Sequence, residues 1–308
     1  MRRHLADSLR HIHEVTFEVF EIPNDEVEAF LNRLIAAPVP PLVFSFYFDL
    51  VLALELDNHA EARHLWEQII RAPLTVSDLL IQDLEDPETS ETGARYVRFF
   101  LSGAGADFPV YPPRPEEALA CRKHIAEALE LLHAGDPLLA GEISELVREI
   151  TLASGSTEKT AYTFDGSSSF MMWGGILLNA RRTGGALEMA QMLAHESAHN
   201  LLFGMTTEEP LTLNNDEERY KSPLRVDPRP MEGIYHATYV SGRMYRCVKT
   251  LLESGTLDPA QQEQAEKDLL INAKCFRDGW QVVHEHGRLS RLGGELIGSA
   301  RAALDELF

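Results

Sequence analysis

The stretch Gly185-Ala-Leu-Glu-Met-Ala-Gln-Met-Leu-Ala-His-Glu-Ser-Ala-His-Asn-Leu-Leu-Phe-Gly204 decides how the second half of the chain folds. Its interior is rich in alanine, leucine, methionine and glutamate, which favour an α-helix. We expect this helix to end at Gly204, because glycine readily adopts the left-handed conformation that stops a helix. His195 and His199 are four residues apart, so both imidazoles lie on one helical face and can reach one metal ion.

The motif His195-Glu196-Ser197-Ala198-His199 is typical of zinc metalloproteases, in which the histidines bind the metal and Glu196 is the general base. Such a short pattern also arises by chance, but its apolar helical setting favours a metal site over a pair of surface histidines. The residues after His199 read Asn-Leu-Leu-Phe-Gly-Met-Thr, which excludes the metzincin continuation.

A metal site of this kind needs a third protein ligand, and the segment Met231-Glu-Gly-Ile-Tyr-His236 offers two candidates. Glu232 would complete a thermolysin-like zinc peptidase, and His236 lies one helical turn after it. We favour His236 over Glu232. Either set of ligands leaves open positions and suits zinc or ferrous iron, so spacing does not choose between the two metals.

Composition excludes several broad classes of protein. The net charge of −20 argues against a nucleic-acid surface, because phosphate binding needs a basic stripe. No apolar run reaches the length of a membrane span, and the N-terminus has no apolar signal-peptide core, so we expect no membrane partner. Three widely spaced cysteines, Cys121, Cys247 and Cys275, indicate a reducing compartment without disulfides. We therefore predict a cytoplasmic protein.

The hydrophobic pattern predicts a mainly α (α+β) protein, that is, helices with a small sheet. Segments 42–56 and 60–70 predict a buried helical hairpin that turns near Asp57-Asn58. A connection rich in proline and glycine then suggests an N-terminal helical region at 1–112 and a catalytic region at 113–308, or one continuous unit. Part of 170–179 is predicted to be a strand. It is either an edge strand that binds an extended peptide or a core strand without that role.

The segment Tyr220-Lys-Ser-Pro-Leu-Arg-Val-Asp-Pro-Arg-Pro-Met-Glu-Gly-Ile-Tyr-His236 resembles a block in the HExxH-motif proteins encoded with peptide-modification systems. Those proteins carry a similar Ser-Pro-Trp-Arg-x-Asp-Pro-Arg-Pro block followed by a Gly-x-x-His-like helix. The likeness is strongest over about residues 170–240 and is looser elsewhere, including the stretch that ends at Gly293. Leu224 departs from the expected tryptophan, at what we interpret as a packing position.

The family that this segment resembles includes α-ketoglutarate-dependent peptide β-hydroxylases. The resemblance implies a zincin-like metal-binding helix rather than a double-stranded β-helix, with Fe(II) held by His195, His199 and His236. It also implies α-ketoglutarate as co-substrate, with its distal carboxylate bound by Arg225 or Arg229. Ser222 and Tyr220 would add hydrogen bonds to this co-substrate. The alternative is that the two arginines pair with Asp227 or other acidic neighbours.

The implied reaction is hydroxylation of a side-chain β-carbon in a ribosomally synthesised precursor peptide, in the company of other peptide-modifying enzymes. Glu196 is then not needed as a base and is left to orient a ligand or shield the iron. Two other hypotheses stay open. One is a zinc peptidase of the gluzincin type, with Glu196 as base and Glu232 as ligand. The other is a non-catalytic peptide-binding module in which the histidines are vestigial.

Overall fold

A computed structural model describes residues 1–74, 79–102, 109–155, 164–182, 184–222 and 227–307. The described chain is mainly helical with a small mixed sheet, which confirms the predicted fold class. By contacts it divides into two compact units. The first unit comprises Met1–Ala118 and Leu146–Arg181, and the second comprises Leu119–Glu145 and Arg182–Phe308. The boundary predicted between residues 112 and 113 stays a prediction.

The regular elements are as follows. The helices are α1 (Arg2–Phe20), α2 (Asn24–Ala36), α3 (Pro41–Glu55), α4 (His59–Arg71), α5 (Glu91–Phe100), α6 (Pro115–Gly135), α7 (Pro137–Leu146), α8 (Gly185–Met205), α9 (Met231–Ser254), α10 (Pro259–His286) and α11 (Arg291–Ala303). The strands are β1 (Leu80–Asp83), β2 (Val110–Tyr111), β3 (Glu149–Gly155), β4 (Gly166–Ser167) and β5 (Gly175–Asn179). Among the described helices, none is both long enough and apolar enough to cross a membrane.

The first four helices of the first unit pack around one apolar cluster, in which Trp66 is 1% exposed. The predicted hairpin is confirmed as α3 and α4. It turns where the sequence suggested, because Asp57 adopts a left-handed conformation with φ 54° and the Asn58 side chain caps α4 by accepting from the Glu61 amide. This hairpin contributes Phe44 and Trp66 to the cluster.

The sheet of the first unit has the order β1-β3-β5-β4, with β2 antiparallel to one end of β3. The pairs β1–β3 and β3–β5 are parallel, and β4 is antiparallel to β5. The predicted strand within 170–179 is confirmed as β5. Since β5 pairs on both sides at Leu177 and Leu178, it is not an edge strand there. The central strand is β3, every residue of which is buried.

Glu117 joins the start of α6 to the sheet within the first unit. Its carboxylate accepts from Arg114 Nη2 at 2.6 Å, Arg181 Nε at 3.0 Å and Ser154 Oγ at 2.8 Å. The side chain is only 8% exposed. Burial by itself raises the pKa of Glu117, but the hydrogen bonds from Arg114, Ser154 and Arg181 outweigh it and lower the pKa to about 2.

This network predicts an acid-sensitive contribution to stability. The folded-state pKa of Glu117 lies below its unfolded value, so the contribution is present above pH 4.5 and is lost as pH falls from 4.5 towards 2. Over that window the free energy of unfolding should fall by on the order of 3 kcal/mol more in the wild type than in Glu117→Gln. Urea denaturation at several pH values measures it, and equal pH slopes for the two proteins would contradict it.

The second unit is a helical assembly in which α9 packs against α8, α10 and α11. Its core includes Ala198 and Leu202 of α8, Tyr235 and Tyr239 of α9, and Val283 of α10. The predicted stop of α8 at Gly204 is wrong. The helix continues to Met205, and the glycine with positive φ is Gly185 at its first residue, with φ 80°. A glycine inside a helix costs only about 1 kcal/mol relative to alanine, so Gly204 does not by itself end α8.

Candidate metal centre

Helices α8 and α9 bring three histidine rings together. His195 and His199 lie on one face of α8, and His195 Nε2 is 3.3 Å from His199 Nε2. His236 comes from the second turn of α9, and its Nδ1 is 3.2 Å from His199 Nδ1. The rings of His199 and His236 are nearly parallel, at 17°, with centroids 5.4 Å apart. The three histidines predicted from sequence as ligands are therefore neighbours in the structure.

The protonation state of these rings follows from their burial. Burial lowers the pKa of His199 well below its usual value, and positive charge on His195 or His236 would lower it further. Burial also lowers the pKa of His236 to about 4. Both imidazoles are thus neutral at pH 7, which is the form that binds a metal ion.

The spacing and chemistry of the cluster fit a metal ion, but one ring orientation does not. Metal–imidazole bonds of about 2.0–2.1 Å place two ligand nitrogens roughly 3.3 Å apart on a tetrahedral ion. In the described part of the chain, however, no three histidine, cysteine, aspartate or glutamate side chains are arranged to hold an ion as they stand. The reason here is that His199 faces one neighbour with Nε2 and the other with Nδ1. Rotation about the Cβ–Cγ bond, which is a soft torsion, is needed to bring three nitrogens to one point.

Two further side chains that the sequence analysis missed enclose the cluster. Met244 Sδ lies 3.3 Å from His195 Nδ1, and a thioether is a weak acceptor for a proton on that nitrogen. The ring of Phe203 packs against both His199 and His236, with centroid distances of 6.2 and 5.5 Å. Helical spacing in the sequence could have indicated both residues, because Phe203 follows His199 by four residues and Met244 follows His236 by eight.

The two glutamates named from the sequence occupy different positions. Glu232 is 56% exposed at its side chain, and its Oε1 lies 3.9 Å from His236 Nε2, beyond hydrogen-bond distance. His236, rather than Glu232, is in contact with His199. Glu196 is 2% exposed within α8, and its carbonyl accepts from the Asn200 side chain. Glu232 therefore lies beside His236, which is itself the candidate ligand.

Backbone pairing joins two residues of the segment before α9. Tyr220 and Arg229 form an antiparallel bridge, with N···O distances of 2.9 and 3.0 Å. Arg225 lies outside the described residues. Arg229 Nε is 2.8 Å from Asp227 Oδ2, so the structure pairs Arg229 with the acidic neighbour named in the alternative. The bridge lies directly before Pro230 and the first turn of α9.

Tyr220 and Ser222, the polar side chains expected to bind the co-substrate, are both in described parts of the chain. The Tyr220 hydroxyl accepts from Asn214 Nδ2 at 2.8 Å and donates to Glu218, while its ring stacks on His286. Ser222 is 8% exposed. Tyr220 is therefore held by the end of α10 and by the loop after α8, which anchors the loop that precedes His236.

Helix α11 contacts the turn of α9 that carries His236. The Tyr235 hydroxyl donates to the carbonyl of Gly293 at 2.8 Å. A Cβ atom at Gly293 would lie 2.0 Å from the carbonyl oxygen of Leu211, so only glycine allows this approach. Tyr235 precedes His236 in the chain, and this contact therefore fixes the backbone that carries the candidate ligand.

No model of a known protein family matches the chain, and no curated protein matches it significantly.

Proposed function

We propose that the chain is an Fe(II)- and α-ketoglutarate-dependent oxygenase that hydroxylates a side-chain β-carbon of a ribosomally made precursor peptide. The proposal includes a zincin-like metal-binding helix rather than a double-stranded β-helix, and a cytoplasmic site of action. The observation that carries it is the partly buried cluster of His195, His199 and His236. The resemblance of the Tyr220–His236 segment to peptide hydroxylases supplies the choice of iron over zinc.

In this proposal His195, His199 and His236 hold the iron as neutral imidazoles. When bound, the iron supplies oxygen activation coupled to oxidative decarboxylation of α-ketoglutarate to succinate and CO2. Phe203 and Met244 cover the rings with apolar surface, which limits access of water to the ligands. The exposed carboxylate of Glu232 lies close enough to His236 Nε2 to orient that ring after a small side-chain movement.

The two candidate arginines should differ in their effect on co-substrate binding. Arg229 already lies against Asp227, so its charge is partly neutralised, whereas Arg225 is our first candidate for the distal carboxylate. We expect Arg225→Gln to weaken α-ketoglutarate binding at least about tenfold and Arg229→Gln to weaken it less. Anaerobic titration of the iron-loaded protein, followed by its visible charge-transfer absorption, gives both affinities. The reverse order would assign the role to Arg229.

The reaction itself is tested with purified protein loaded anaerobically with Fe(II), then mixed with α-ketoglutarate, oxygen and short peptides encoded beside the gene. The expected result is addition of one oxygen atom to a peptide, seen by mass spectrometry, with one succinate formed per hydroxylation. Zinc-loaded protein is the matched control and should be inactive. Peptide cleavage by the zinc form without α-ketoglutarate would establish the peptidase alternative, and failure to bind either metal would leave the peptide-binding module.

A further inference from the structure

A cavity of about 220 Å³ opens within the first unit, between the N-terminal turns of α3 and α5 and the β1 side of the sheet. Its lining includes apolar groups, among them Pro40, Pro41, Pro73 and Leu80. It also includes the polar side chains of Gln82, Tyr96, Glu149 and Thr151. This combination of an apolar wall with a few converging polar groups is typical of a small-molecule site.

The polar wall follows from strand geometry. In the parallel pairing of β1 with β3, Leu80 is opposite Glu149 and Gln82 is opposite Thr151. Because side chains alternate along a strand, these four residues share one face of the sheet. Ile150 and Leu152, which are fully buried, lie on the opposite face. The sheet thus presents a carboxyl, an amide and a hydroxyl side by side towards α5.

Hydrogen bonds hold these groups in place. Gln82 Nε2 donates to the Tyr96 hydroxyl at 3.2 Å and to Thr151 Oγ1 at 3.4 Å. Thr151 Oγ1 in turn donates to Glu149 Oε1 at 3.1 Å. Burial raises the pKa of Glu149, while hydrogen bonds from Tyr96, Thr151 and Gln82 act in the opposite direction. The groups that share hydrogen bonds with the Glu149 carboxyl here are all uncharged.

The charge of the lining favours a cation. Glu149 is 5% exposed, and Glu85 adds a second carboxylate at the exposed rim. Asp83 also borders the cavity, but it is opposite Leu152 in the strand pairing, so its side chain alternates to the other face of the sheet. Against Glu149 and Glu85, the described lining residues include one cationic side chain, that of Arg148. A buried carboxyl with uncharged partners gains more from an ammonium group than from any neutral donor, because ionised hydrogen bonds are the stronger ones.

We propose that this cavity binds a small organic ammonium ion with an apolar body. The ammonium group donates to the Glu149 carboxylate and to the Tyr96 hydroxyl. The apolar body packs against the prolines at the start of α3 and against Pro73 and Leu80. Every residue of this site belongs to the first unit, so the proposal stands independently of the metal centre and of its reaction.

The test uses the full-length protein and 2-phenylethylammonium as the probe, with the neutral isostere 2-phenylethanol for comparison. Isothermal titration calorimetry should give a Kd of about 1 mM or tighter for the ammonium ion and at least about tenfold weaker binding of the alcohol. Glu149→Gln should weaken ammonium binding at least about tenfold. The matched control is Glu85→Gln, which removes the same charge at the exposed rim and should change the Kd less than about threefold.

Two further variants guard against a folding defect in Glu149→Gln. Tyr96→Phe removes one hydroxyl, and Leu80→Trp narrows the mouth of the cavity at a half-exposed position. Both should weaken binding of the ammonium ion while circular dichroism stays that of the wild type. The proposal is overturned if 2-phenylethylammonium does not bind or if the alcohol binds equally well. It is also overturned if Glu85→Gln weakens binding as much as Glu149→Gln while Leu80→Trp leaves binding unchanged, because the rim charge and not the cavity would then govern binding.

Discussion

Replacing His195 or His199 with alanine is expected to abolish both iron binding and peptide hydroxylation. Loss of an outer-shell partner of a metal ligand typically lowers metal affinity by about 10–100-fold, and loss of a ligand itself must cost more. The expected decrease in iron affinity is therefore greater than about 100-fold for each variant. Both side chains belong to the cluster in which neighbouring ring nitrogens are 3.2–3.3 Å apart.

The measurement is iron stoichiometry after anaerobic loading, with hydroxylation as a second readout. His64→Ala is the matched control, because His64 is an exposed histidine on α4 in the first unit and should leave iron binding unchanged. The variants His236→Ala and Glu232→Gln separate the two candidates for the third ligand. We expect the first to lose iron and the second to retain it. Iron retained in His236→Ala but lost in Glu232→Gln would make Glu232 the ligand.

The second large effect is expected from Gly293→Ala. The added Cβ would lie 2.0 Å from the Leu211 carbonyl oxygen, so the backbone of α11 must move. Overpacking of this kind typically costs about 1–3 kcal/mol, and the hydrogen bond from Tyr235 to the Gly293 carbonyl is weakened at the same time. We therefore expect a loss of about 3 kcal/mol in the free energy of unfolding. Iron affinity should also fall, because His236 follows Tyr235.

Gly294→Ala is the control for this change. It lies next to Gly293 in α11, and a Cβ atom there meets nothing within 4 Å. Alanine is the better helix former, so this variant should be neutral or more stable by up to about 1 kcal/mol. Chemical denaturation of both variants measures the difference. Similar stability of the two proteins would contradict the packing argument.

Local pattern predicted much of the helical structure. Apolar periodicity located the α3–α4 hairpin, and Asp57 and Asn58 marked its turn because both residue types favour left-handed and capping conformations. Gly204 gave a wrong prediction, although glycine, like the Asp57-Asn58 pair, is a residue type that often ends a helix. A glycine allows a helix to stop but does not force it, and α8 continues to Met205.

The sheet was harder to predict. Strands β1 and β3 pair in parallel across more than sixty residues of intervening chain, and no local signal reports such a partner. Strand β3 begins Glu149-Ile150-Thr151-Leu152, and every residue of it is buried, the polar ones included, which the alternation of polar and apolar residues does not indicate. The cavity beside Glu149 was missed with it, since the register of β1 against β3 is what brings Gln82 and Glu149 to one face.

The sequence by itself determined that His195 and His199 share a face, because four residues make about one helical turn whatever surrounds the helix. It also identified His236 as the candidate to join them. Only the tertiary structure decided that α9 packs against α8 at the height that brings His236 to His199, with Phe203 and Met244 around them. The reason is physical. Helical periodicity is local, whereas the pairing of two helices depends on side chains along their whole length.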